Sequence, residues 1–178
     1  MPSETAIVMA CEFPTLSAME RHMLDAAYFQ DSYRIAARHR DATVVEIFQA
    51  IFAHHPKWMK IVLIIRNRIA SFCGLDAPTS SEMMNPVSKD CYEIGDKIGV
   101  WPIFKLTETE LIAGRDNRHL DFRLSVLRHN DGATANVVVS TVCVVHNTFG
   151  KVYLFFVVPF HKWGVRLLIS RAAMAGRL

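Results

Sequence analysis

Arg118-His119-Leu120-Asp121-Phe122-Arg123-Leu124-Ser125-Val126-Leu127-Arg128 alternates apolar with polar residues over most of its length. Successive side chains of an extended chain point to opposite faces. Leu120, Phe122, Leu124 and Val126 therefore share one side, and His119, Asp121, Arg123 and Ser125 share the other. A helix would scatter both sets, so this stretch is a strand with an apolar inner face. Downstream, Asn130 to Gly132 is turn chemistry, and Ala135 to Asn147 is apolar on both faces. Such a strand sits centrally, covered twice by the fold or once by the fold and once by a partner subunit. Upstream, Asp116 and Asn117 separate the strand from Glu108 to Arg115, and Gly99 to Leu106 is extended as well. Short turns between four successive extended segments predict an antiparallel meander.

Helices flank this meander. Tyr28 to Arg38 reads as a first strand, and Asp41 is placed to cap a helix whose Val44, Ile47, Phe48, Ile51 and Phe52 lie on one face. Pro56 opens a second helix with an apolar stripe of Trp58, Ile61, Val62, Ile65, Ile69 and Phe72, stopped by Gly74. The two form a helical hairpin, and the unpatterned run from Asp76 to Asp90 is a loop. From about Thr148 a long helix is expected, bent or divided near Pro159. The predicted class is α+β: an antiparallel sheet packed around a long C-terminal helix, with a helical hairpin after the first strand. Residues 1–178 form one domain, with 1–27 as an N-terminal extension.

Composition narrows the function classes. With 51% hydrophobic and 21% charged residues, the chain can build a core. A balance of 20 basic against 17 acidic residues predicts no nucleic-acid partner. Cys11, Cys73, Cys91 and Cys143 form no C-x-x-C pair and read as reduced thiols, and Glu4 and Glu12 do not suit a secretory signal, so a cytoplasmic setting is expected. Lys60, Arg66 and Arg68 interrupt one long apolar run, and His161, Lys162 and Arg166 interrupt another. Both are expected to be core helices, with no transmembrane segment.

Three runs carry a family likeness: Gly114-Arg115-Asp116-Asn117-Arg118-His119-Leu120-Asp121-Phe122-Arg123, Asn147-Thr148-Phe149-Gly150-Lys151-Val152-Tyr153, and Pro159-Phe160-His161. With Pro56-Lys57-Trp58, Ile65-Arg66-Asn67 and Gly74-Leu75, they resemble the bacterial domain of unknown function 2867 over roughly Tyr28 to Arg171. The element order resembles the helix-grip arrangement of the START and polyketide-cyclase-like superfamily. That resemblance implies a curved sheet closed around the last helix, often with an internal cavity, and it implies no particular activity.

Within such a fold, a small apolar or amphipathic molecule is expected between the sheet and the C-terminal helix. Trp101, His119, Asp121, Arg123 and His146 would be the polar groups that orient it. His119, Asp121 and Arg123 also have the residue types for acid–base chemistry on an anionic substrate, an enzyme alternative. Against both stands the ordinary solvated outer face of an antiparallel sheet. The histidines show no spacing suited to a metal, and no metal or cofactor is expected. Cys143 lies in an apolar strand and reads as an inert thiol rather than a nucleophile. A third alternative is a non-catalytic interaction domain, expected as a homodimer.

Overall fold

A computed structural model describes residues 7–54, 89, 91–131 and 134–178. The second helix of the expected hairpin, and all but Lys89 of the loop after it, lie outside the described residues. Among those residues a seven-stranded antiparallel sheet has the order β1-β2-β7-β6-β5-β4-β3. β1 is Met9–Ala10, β2 Ala27–Ala37, β3 Lys97–Ile98, β4 Trp101–Leu106, β5 Glu110–Arg115, β6 Leu120–Asp131 and β7 Thr134–Val145. The helices are α1 (Arg21–Asp25), α2 (Val44–Phe52) and α3 (Thr148–Met174).

The meander is present, and its register follows from the alternation. Gly114 pairs with Arg123, and Ser125 pairs with Ser140. The inner face contributes Leu111, Ala113, Leu124, Val126, Val137, Val139, Tyr33 and Ile35 to the core. Val44, Ile47, Phe48, Ile51 and Phe52 of α2 pack there, as do Val165, Leu168, Ile169 and Ala172 of α3. Long apolar helices thus cover one face of the sheet.

Four local details differ from expectation. Thr43, not Asp41, caps α2. Its hydroxyl accepts from the Glu46 amide while the Glu46 carboxylate accepts from the Thr43 amide, a closed capping box. Gly99 belongs to a turn with φ 61°, so β4 begins at Trp101. In that left-handed region only glycine is free of Cβ strain. α3 is not divided at Pro159, which lies inside one continuous helix. That proline is exposed, so the Phe155 carbonyl deprived of its partner lies on the water side.

The fourth difference decides what the polar face of β6 is for. It is not solvated: Arg123 is 5% exposed, and Ser125 and Ser140 are fully buried. Residues ahead of β2 cover this second face, with Met19 and Met23 packed on Ile112 and Val142. Glu110, 1% exposed, holds the cover in place. Its carboxylate accepts from the Ser17 hydroxyl at 2.6 Å, from the Ser125 hydroxyl at 2.5 Å and from the Ala18 amide. A buried carboxylate is tolerated when hydrogen bonds replace its water, as these three do. β7 is therefore covered on both sides by its own chain.

Candidate functional site

The five residues expected to orient a ligand do not line one recess. Trp101 lies edge-on to Phe48, Phe52 and Phe122, with ring centroids 6.0 to 6.2 Å away, as part of the core wall. Arg123 is on the opposite face of the sheet. There its Nη1 donates to Asp116 at 2.5 Å and to the Phe122 carbonyl, and its guanidinium lies 3.5 Å from the Phe104 ring centroid. His119, Asp121 and His146 do gather, where β6 begins and β7 ends. The acid–base alternative would have Asp121 orient His119, and they are not paired that way.

Asp121 stands 3.0 Å from His146 Nε2, not beside His119, and its other oxygen accepts from the Asn117 amide. His119 Nδ1 instead contacts the side-chain amide of Asn147 at 3.0 to 3.2 Å, and its ring packs 4.7 Å from that of Phe149. Asn147 also donates to the Arg118 carbonyl and accepts from the Gly150 amide, capping α3. A Cβ at Gly150 would collide with the His119 carbonyl, and one at Gly114 with the Phe122 carbonyl. The two sequence runs around these residues thus build a joint: they close the β5–β6 turn and seat the start of α3 on it.

A different group of polar residues lies between the sheet and α3. Asp31 and Tyr33 are on the α3 side of β2, and Thr141 pairs with Asp31 across the β2–β7 ladder. His161 of α3 reaches Asp31 at 3.3 Å and meets the edge of Phe29. The second Asp31 oxygen and the Thr141 hydroxyl are buried with no hydrogen-bond partner. The two face each other across the ladder, a hydroxyl donor beside a carboxylate acceptor, so a small side-chain rotation would let one satisfy the other.

Beside them runs a groove of about 450 Å³, lined by Tyr33, Lys162, Trp163, Arg166, Leu167 and Ser170, with Pro159 at its end. Arg166 lies 5.9 Å over the Tyr33 ring, and Lys162 5.7 Å over Phe29. Burial pushes the Tyr33 phenol up to about 12; the charge of Asp31 and a hydrogen bond to its carboxylate add to this, and Arg166 opposes it. The hydroxyl is thus a donor already engaged by Asp31, and Tyr33 offers the groove its ring. Cations, aromatic faces and a hydroxyl make a surface suited to an anionic head on an apolar body.

Sequence reasoning did not single out Asp31, Thr141 or Ser170. The available signal was a carboxylate two residues before Tyr33 in a long strand, since that spacing puts both on the same face. Among the described residues no group of three or more His, Cys, Asp or Glu side chains is arranged to hold a metal ion. No curated protein and no solved structure matches the chain. One family model does, over residues 23–168, a span that includes β2, the β5–β6 joint and most of α3. The chain belongs to the family described as Protein of unknown function (DUF2867).

Proposed function

We propose that the protein binds a small amphipathic molecule with an anionic group in the groove between β2 and α3, as a helix-grip ligand-binding domain would. The observation that carries this is that two cations, Lys162 and Arg166, line a groove of about 450 Å³ together with the aromatic side chains of Tyr33 and Trp163. Small-molecule sites typically occupy about 300 to 1,000 Å³ and combine apolar walls with a few polar groups. The recess is an open groove rather than an enclosed cavity. The ligand's apolar body would lie along Trp163, Pro159 and Leu167. Its head would face Arg166 and Lys162.

Decanoate is a suitable probe, used below its micellar concentration. Calorimetric titration of the whole protein should show saturable binding. Arg166→Gln should weaken it by roughly tenfold or more, as losing a charge-assisted hydrogen bond does. Absence of binding, or binding indifferent to Arg166→Gln and Lys162→Gln alike, would rule the proposal out.

A further inference from the structure

The structure points to a second contact surface on α3, and we propose that its outer face docks on an anionic lipid surface. α3 is apolar on two sides. Its inner side, with Leu154, Val165, Leu168, Ile169 and Ala172, is buried. Val152, Phe155, Phe156 and Phe160 follow at offsets of three, four and eight residues, the spacing of one opposite helix face, which runs on into Pro159 and Trp163 of the groove. That face is bare: Phe155 is 76% exposed and Phe160 71%. A helix that is hydrophobic all round belongs in a core or against lipid, and only one side of α3 is in the core. By length and composition it would suffice to cross a membrane, yet its inner side is packed on the sheet. A bilayer surface fits both facts.

Charge selects the kind of surface. The 27 residues of α3 contain no aspartate or glutamate, but they include Lys151, Lys162, Arg166 and Arg171. Lys151, Lys162 and Arg166 flank the aromatic row. Exposed Tyr28 of β2 extends it, with Lys151 5.8 Å over its ring. Aromatic rings that bury to the depth of the headgroups, flanked by cations, describe an interfacial helix on anionic lipid. A second copy of the chain would have to place these cations against its own identical ones in a two-fold contact. The charge pattern favours lipid.

Co-sedimentation of the whole protein with vesicles tests this. Vesicles of phosphatidylcholine mixed with phosphatidylglycerol should pellet the protein; phosphatidylcholine alone should pellet far less. Phe155→Ser/Phe160→Ser should lower the partition coefficient by about tenfold or more, with melting temperature and decanoate binding unchanged because neither residue lines the groove. Lys151→Gln should weaken binding about fivefold and flatten its salt dependence. Three results would overturn the proposal: no pelleting with anionic vesicles, pelleting equal with both vesicle types, or pelleting that ignores the double variant. A dimer in sedimentation equilibrium that is lost in the double variant, with no vesicle binding, would assign the face to a second copy instead. Failure here leaves the groove untouched, and the decanoate titration reads that separately.

Discussion

Arg123 shows how one residue's chemistry can be read in two ways. On a strand that alternates, it was expected to face solvent or a ligand; it is buried on the second face of the sheet, bonded to Asp116. Asp116 is more than half exposed, so removing the arginine leaves no buried unpaired carboxylate. Arg123→Ala should therefore cost about 2 kcal/mol, the scale of one charge-assisted hydrogen bond plus lost packing of the stem beside Gly114 and of the guanidinium on Phe104. Arg123→Met keeps the stem packing but removes the guanidinium, with its contact to Phe104 and its Nε that is buried without a partner. It should cost less than about 1 kcal/mol. Urea unfolding of both variants checks the order, and the reverse order would mean that charge rather than packing holds this face. At Gly150 two effects compete. Alanine would add up to about 1 kcal/mol of helix propensity, but its Cβ would strike the His119 carbonyl. Overpacking against backbone typically costs about 1 to 3 kcal/mol, so thermal unfolding should show net destabilisation by Gly150→Ala.

At the scale of elements, much was legible because periodicity is a strong signal. The β6 alternation placed Leu124 and Val126 in the core, and the α2 stripe from Val44 to Phe52 is buried as its spacing implied. The helix cap is also written in the sequence: Thr43 with Glu46 three residues later is the capping-box pattern, and Asp41, two residues upstream, is an equally good cap by residue type alone. Thr43→Ala should cost about 1 kcal/mol. The hydrogen bonds from Thr43 hold the Glu46 carboxyl below its usual range. A depressed folded-state value means stability that is present at higher pH and lost as pH falls through the acid range. Thr43→Ala keeps the backbone amide that contributes most, so Glu46→Gln is the variant that should abolish this acid-side loss in a pH series of melting curves, whereas an unchanged acid limb would argue against the box. The candidate site was less legible. Nothing local reveals that Glu110 recruits residues 17 and 18 onto the second face, since that contact spans 93 positions. For the same reason His119 and Asp121, neighbours on one strand, could not be seen to serve Asn147 and His146 instead.

Across the whole molecule, α3 is the element on which both proposals converge. Its inner side completes the core, while its other side lines the groove with β2 from Pro159 to Ser170 and carries exposed Phe155, Phe156 and Phe160. Tyr33 reports on the groove through pH. Its folded-state value lies near 12, above the ordinary tyrosine value of 10. Between those values the unfolded chain releases the proton while the folded protein retains it, so stability should fall as pH rises through this window. Tyr33→Phe should remove that part of the alkaline decline, and a wild-type-like decline in the variant would mean the phenol titrates freely. The most direct test of the account is a map of where a ligand sits. In nitrogen–proton correlation spectra of the whole protein titrated with decanoate, saturable shifts should centre on Tyr33, Lys162, Trp163, Arg166 and Ser170. Shifts centred instead on His119, Asp121 and His146, or no saturable shifts anywhere, would contradict it.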